Sequence, residues 1–322
     1  MISAIIPVYN GEKHLPNLMR DLWQQSSKDF EVIFVNDGST DRTSELLTFA
    51  QSSAPFNITV VNQTNQGVSA ARNAGIERSR GEYLTFIDAD DGIAPDYFRF
   101  IHEAVSADPC DLFFFQMTRQ RKNFSREMNS LSAIEPQAAL RSFLWRKVSF
   151  GIWSVAIKHE LIKQNDLRFE KGYNYGEDIH MLWRLLTFAK SIRLSEIKLY
   201  LYEFNTSSAM HHFNSDRLHA VELIKQLETF FKERDGLFYP SFKRYAVART
   251  YWALLWQAAL FLPYDKFRTF SKEHHITRQF QKLVFSSHEL KVAVSSLIEI
   301  LCPRLFYFLA RKYGRHKTFP PT

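Results

Sequence analysis

Three carboxylates gathered at one point carry the strongest chemical signal in this 322-residue chain: Asp88, Asp90 and Asp91 close the run Y-L-T-F-I-D-A-D-D, Tyr83 to Asp91. Like charges held that close repel and raise one another's pKa unless a cation sits among them. A divalent metal resolves the conflict, and an all-oxygen donor set suits Mg²⁺ or Mn²⁺, both of which also bind phosphates. A bare D-x-D is equally the composition of a turn that caps the following helix, so the surrounding chain must decide. Two further groups have chemical potential. Glu177-Asp178 opens a helical pattern, where acids either complement the helix dipole or face a site. His211 and His212 lie in the polar stretch Asn205 to His212, as solvated side chains or as ligands of metal or phosphate.

The elements that must position these groups follow from periodicity. Ser3 to Val8 reads as an apolar strand, and Glu12 to Gln25 as a helix with Leu15, Leu18, Met19 and Leu22 on one face. Phe30 to Val35 is a second strand, followed by a helix around Leu46, Leu47 and Ala50. Ile58 to Val61 is a third strand, Val68 to Arg78 an Ala-rich helix, and Tyr83 to Ile87 a fourth strand covered on both faces. Strand and helix alternating at this spacing give βαβ units and a doubly wound α/β sheet. In such sheets ligands bind outside the carboxyl ends of the strands. Tyr9-Asn10, Asp37 to Asp41 and Asp88 to Asp91 all fall at such ends, so three polar clusters converge on one rim.

Further along, Asp111 to Met117 is a strand, Glu135 to Lys147 a helix, and Phe150 to Ile157 a strand reaching the same sheet from another direction. Ile179 to Ala189 is a helix and Ile192 to Phe204 an extended segment. From about Asp216 the pattern turns mainly helical, with helices expected around Leu218 to Phe231, Tyr239 to Phe261 and Leu290 to Ala310. The expected division is therefore residues 1–215 and 216–322. Tyr251 to Leu262 is too short to span a bilayer, which needs about 20 apolar residues. It reads as packed core.

Composition sets the bounds. Hydrophobic residues at 45% suffice for a sizeable core, and the 29 phenylalanines hint at apolar surface. Two distant cysteines, Cys110 and Cys302, give no disulfide framework and no zinc site. Met1 leads into the first strand without a basic, apolar leader, so the expected compartment is cytoplasmic. A net charge of +7 admits nucleic acid, anionic membrane or anionic substrate as partner. The excess sits at the tail, in Arg304, Arg311, Lys312, Arg315 and Lys317, and no nucleic-acid-binding module is legible. Ser295 to Arg315 is a core helix with a solvated tail or an interfacial helix on anionic lipid. No G-x-G-x-x-G follows the first strand and no P-loop motif occurs.

Together the segments Ile5 to Asn10 (I-I-P-V-Y-N), Val35 to Asp41 (V-N-D-G-S-T-D), Asn65 to Gly75 (N-Q-G-V-S-A-A-R-N-A-G), Gly81 to Asp91 and Gly176 to Asp178 (G-E-D) closely resemble the family 2 inverting glycosyltransferases of the GT-A fold, the bacterial surface-polysaccharide type. The resemblance covers roughly residues 1 to 205. It implies a Rossmann-like mixed sheet with a helical C-terminal extension, and a nucleotide-sugar donor. By it, Pro7, Val8, Tyr9 and Asp37 hold the nucleotide base and Arg72 contacts the donor sugar or phosphate. Asp88 and Asp90 correspond to the D-x-D pair, with Asp90 on the Mn²⁺ or Mg²⁺ and the metal neutralising the leaving diphosphate. Asp178 matches the acceptor-side base, and His211 the histidine that reaches metal or diphosphate. The Gln-x-x-Arg-Trp motif and membrane helices of processive synthases are absent, which implies transfer of one sugar to a glycan or polyprenyl-linked acceptor, with peripheral contact to anionic membrane. Two other classes compete. A sugar nucleotidyltransferase would bring a glycine-rich phosphate loop that Ile5 to Lys13 lacks, and a non-catalytic nucleotide-sugar or nucleic-acid binder would have no need of Asp88, Asp90 and Asp178 together.

Overall fold

The computed structural model describes residues 1–128, 131–148, 150–203 and 213–318, and the chain divides into two compact units. The first comprises Met1–Phe143 and Val148–Asn205; the second takes Leu144–Lys147 and Thr206–Thr322.

The first unit is one nine-stranded sheet with helices packed on it. Its strands are β1 (Ile2–Val8), β2 (Phe30–Asp37), β3 (Asn57–Gln63), β4 (Tyr83–Phe86), β5 (Gly92–Ile93), β6 (Leu112–Thr118), β7 (Ser132–Ile134), β8 (Val155–Lys158) and β9 (Ile192–Leu201). They lie in the order β3-β2-β1-β4-β8-β6-β9-β5, with β7 pairing β9. The first four are mutually parallel. β8 enters between β4 and β6 and runs antiparallel to both, which makes the sheet mixed. Phe150 to Ile157, expected as one strand, begins instead with a single helical turn at Ile152–Ser154, and only its second half joins the ladder. The helices of this unit are α1 (Leu15–Trp23), α2 (Thr43–Ser53), α3 (Val68–Arg78), α4 (Tyr97–Ala107), α5 (Pro136–Leu144), α6 (His159–Gln164) and α7 (Glu177–Phe188).

Every residue of β2 is buried, as a strand covered on both faces must be, and Phe30 stacks on Phe98 of α4 with ring centroids 3.9 Å apart. The opposite face carries α3. A methyl group on Gly75 would meet Cγ2 of Ile5 at 2.3 Å, so the helix approaches β1 to a distance that only glycine permits. That approach matters because α3 carries Arg72 and Asn73.

The second unit contains α8 (His219–Arg234), α9 (Tyr239–Phe261), α10 (Tyr264–Glu273), α11 (Ile276–Ser286), α12 (Leu290–Leu301) and α13 (Pro303–Thr318). The 23-residue α9 is its axis, and the apolar run from Tyr251 is largely buried. Aromatic rings fill the core: Phe231 meets Phe238 and Phe242, while Phe306 meets Trp256, Phe267 and Phe280. Much of the phenylalanine content is therefore core. The single helix expected from Leu290 to Ala310 is two helices. Pro303 disfavours the α conformation at Cys302, which leaves the helix at φ −145° and ψ 80°, and α13 starts at the proline itself. Among the described residues no helix is long and apolar enough to cross a membrane.

Gly75→Ala tests the close packing of α3. The gain in helix propensity, about 1 kcal/mol, is outweighed by overpacking against a branched buried side chain, about 1–3 kcal/mol. The expected result is a variant with a lower thermal midpoint and a net loss of about 1 kcal/mol in urea unfolding.

Candidate active site

The rim at the carboxyl ends of β1, β2 and β3 is stitched by its own polar side chains. Asn10, at φ +50°, accepts from the Thr40 N–H at 2.8 Å, and its own N–H donates to Ser39 Oγ at 2.9 Å. The next two amides donate to Thr43 Oγ1 (Gly11, 2.8 Å) and Asp41 Oδ2 (Glu12, 3.0 Å). Asp37 is buried and accepts from Gln63 Nε2, Gln66 N and Gly67 N at 2.7–2.9 Å, so it fixes the loop that leads into α3. Gly38, at φ +73°, lets Asn65 N approach to within 2.6 Å of where a Cβ would stand. The motif D-G-S-T-D thus builds the rim's frame.

A single guanidinium joins the fourth strand to the far side of the cleft. Arg72, 5% exposed, donates from Nη1 to Glu177 Oε1 at 3.0 Å and from Nη2 to Asp88 Oδ1 at 3.1 Å. Its planar head lies over Phe169, 5.2 Å from the ring centroid, and Phe169 packs edge-on against Phe86 of β4. Asn73 clamps the same segment reciprocally, donating to Phe169 O at 2.8 Å and accepting from Phe169 N at 2.9 Å. Burial pulls the Arg72 pKa down, but the charges of Asp88, Glu177 and Asp178 outweigh it and hold the group above its ordinary value. Glu177 is buried and shifted upward, by burial first and then by the Asp178 charge, against the pull of Arg72. Asp178 is partly buried and also raised, chiefly by burial, with Arg72 opposing; it accepts the Ile179 N–H at 2.7 Å.

The three aspartates separate in the fold. Asp88 and Asp90 are partly exposed beyond β4, whereas Asp91 turns inward, accepting from Tyr200 Oη at 2.7 Å and Glu203 N at 2.9 Å. The Tyr200 hydroxyl also accepts the Asp88 N–H at 3.1 Å, so one buried tyrosine holds both ends of the turn. Burial, then the charge of Asp88, pushes the Asp91 carboxyl up to about 8. Among the described residues no three His, Cys, Asp or Glu side chains converge to hold an ion unaided. Asp88 and Asp90 nonetheless fit a hard divalent cation: they offer oxygen only, and Mg²⁺ in particular is typically held by one or two carboxylates with phosphate and water completing the shell. The acid excess around the turn is the charge imbalance that such a cation relieves.

Several expectations change in the folded protein. Val8 is enclosed in the core beside Gly11, so its backbone alone can meet a ligand, while Tyr9 is exposed at the rim and Pro7 is partly buried. Arg72, expected to contact the donor, has both terminal nitrogens committed to protein carboxylates, which makes it a joint between strand end and helix start. Asp37 has its carboxylate occupied by three protein donors. His211 and His212 lie outside the described residues. Asn73 and Tyr200 are not singled out in the sequence, and Glu177 is singled out only as an acid at a helix start, without its partner Arg72. Nothing local marks Tyr200 or Asn73.

A parallel sheet extended through an antiparallel strand, with an acidic turn beyond its fourth strand, is the GT-A fold. The chain belongs to glycosyl transferase family 2, whose family model matches residues 3–164. It is similar to EpsJ of Bacillus subtilis, an uncharacterised glycosyltransferase, at 28% identity over 216 residues, 65% of this chain and 62% of EpsJ. The chain thus spans less than two thirds of that relative. Among solved structures it shares its fold with Staphylococcus aureus TarS 1–349 in complex with UDP-GlcNAc, at a TM-score of 0.68 and 16% identity, covering 99% of this chain and 93% of that one. The mannosyltransferase PcManGT of Pyrobaculum calidifontis, in complex with GDP-Man and Mn²⁺, superposes at a TM-score of 0.57 and 16% identity over 94% of this chain and 87% of that one. The matched family region ends before Glu177.

Two predictions follow from the buried charges. Arg72→Met leaves Glu177 and Asp88 without their cation, and breaking a buried pair in this way costs about 3–5 kcal/mol. Urea unfolding should report that loss, with Arg72→Lys in between because an ammonium cannot span two carboxylates. His180 on α7 is buried, and burial followed by the Arg184 charge lowers its pKa from 6.5 to about 4. Below pH 6.5 the unfolded chain takes up a proton that the folded chain refuses, so stability falls as pH drops towards 4, by up to about 3 kcal/mol. His180→Gln should flatten that part of the stability–pH curve and leave the carboxylate contribution in place.

Proposed function

We propose that this protein transfers a single sugar from a nucleotide-sugar donor, a UDP-sugar, to a hydroxyl of a glycan or polyprenyl-linked acceptor with inversion at the anomeric carbon. The observation that carries the reading is the Arg72 bridge, which fastens the Asp88 turn to the start of α7 and so brings a phosphate-side carboxylate and a base-side carboxylate to one cleft. Membership of the family and the donor complexes of TarS and PcManGT support a nucleotide-sugar as the donor class.

In this reading the backbone at Pro7 and Val8, with the Tyr9 side chain, forms the wall against which the base lies, and Asp37 holds the loop that closes it. Asp88 and Asp90 face the diphosphate, with Asp90 holding Mn²⁺ or Mg²⁺ and His211 as a further ligand. When bound, that ion supplies positive charge to the diphosphate oxygen as its bond to the sugar breaks. Asp178 accepts the proton of the acceptor hydroxyl while the oxygen attacks the anomeric carbon from the face opposite the diphosphate. Burial raises its pKa above that of an ordinary aspartate, which makes it the stronger base. Arg72 is a positioning residue. We place the protein in the cytoplasm, in the assembly of a surface polysaccharide such as a capsule, exopolysaccharide or lipopolysaccharide.

Release of nucleotide from UDP-, GDP- and dTDP-sugars, with Mn²⁺, Mg²⁺ or EDTA, tests this. One donor should turn over with metal and not with EDTA, and Asp90→Ala should lose roughly a hundredfold or more. Asp178→Asn should lose a similar factor in transfer while donor affinity by calorimetry stays within roughly threefold, since removal of a general base typically costs 10²–10⁴. A chain that binds no donor by calorimetry and turns none over is not a glycosyltransferase of this kind.

A further inference from the structure

Helix α12 is built inside out. Its buried face is polar apart from Val292: Ser295 accepts from Trp252 Nε1 at 2.8 Å, Ser296 is enclosed, and Glu299, 0% exposed, accepts from Arg268 Nη1 and Thr277 Oγ1, each at 3.1 Å. Its outer face is apolar. Leu290, Val294, Leu297 and Leu301 recur at intervals of four, three and four residues, which places them on one stripe, and all are exposed, Leu290 by 79% and Leu301 by 75%. Past the break at Cys302, Leu305 and Phe308 on α13 continue the exposure, Phe308 at 60%. Leucines scattered singly on a surface need no explanation, but a complete helical stripe turned outward over a polar inner face does.

Charge selects the occupant. From Leu290 to Lys317 the chain carries six lysines and arginines and one acid, Glu299, which is buried and paired with Arg268. A second copy laid on this stripe would bring cations against cations. An anionic bilayer meets both demands, because its acyl boundary takes the leucines and its headgroups take the lysines and arginines. We propose that the outer face of α12 and the start of α13 form a docking surface for an anionic membrane. The surface rests on the helical unit alone and goes beyond the catalytic reading, so a membrane assay reports on it whether or not sugar transfer is found.

The chain carries its own probe site. Cys302 is exposed at the end of the stripe, while Cys110 is buried with its thiol pushed up to about 12, so an environment-sensitive fluorophore attaches selectively to Cys302. The labelled full chain should brighten severalfold with vesicles of phosphatidylglycerol and phosphatidylcholine in equal parts and stay dim with phosphatidylcholine alone. Unlabelled chain should float with the anionic vesicles, less so in high salt or with Lys312→Glu. The double variant Leu297→Glu/Leu301→Glu should lose binding by roughly tenfold or more while its melting temperature holds, since neither side chain is buried. Three results overturn the proposal: no binding to either vesicle, equal flotation of the leucine variant, or a dimer in light scattering that the same variant dissociates, which would assign the stripe to self-association.

Discussion

The first unit turns on one ion triplet built around a buried guanidinium. Arg72 sits between Asp88 and Glu177 with almost no access to solvent, and its two terminal nitrogens define the separation of the turn after β4 from the start of α7. Such a guanidinium is costly to desolvate and is retained only where both carboxylates and the ring beneath it are in place. Each support traces to a local feature: Gly75 seats α3 on β1, Asn73 pins the backbone of Phe169, and Phe169 leans on Phe86. Disturbing any of them moves the arginine, and with it the distance between the two acidic edges of the cleft.

The second unit follows another logic. Aromatic rings close its interior around α9, and the Glu289 carboxylate accepts hydrogen bonds from Tyr245 and Arg249. Nothing in this network resembles a reaction centre. Its informative surface is the outward stripe of α12, where apolar groups stand in water and polar ones stand inside.

Legibility differed between the units for physical reasons. The α/β core was readable because strands covered on both faces are continuous apolar runs and because β2 and α3 carry local signals at both ends. The rim was readable as a location, since the sheet's topology dictates it. Side-chain commitments were not. That Asp37 serves three amides and Asp91 a tyrosine from β9 depends on loops and strands separated by up to 112 positions, which no local pattern encodes. The helical unit was readable in its long α9, but α10 and α11 went unread because their apolar periodicity is diluted by charge. The α12–α13 break was visible in Pro303 and was overridden by the apolar run around it.

The insertion of β8 has a consequence for how the sheet comes to exist. β4 acquires its outer neighbour from Val155–Lys158, some seventy residues later, and β6 then joins the sheet only across that strand. During synthesis the parallel four-stranded half is complete while β4 still presents an unpaired ladder. Nascent chains that have not yet reached β8 therefore carry an open edge next to the future acidic turn, the kind of surface on which strands of other chains pair. Closing that edge is the step that converts a foldable half into a finished sheet, and it sets a long-range, slow contact at the middle of the structure rather than at its border.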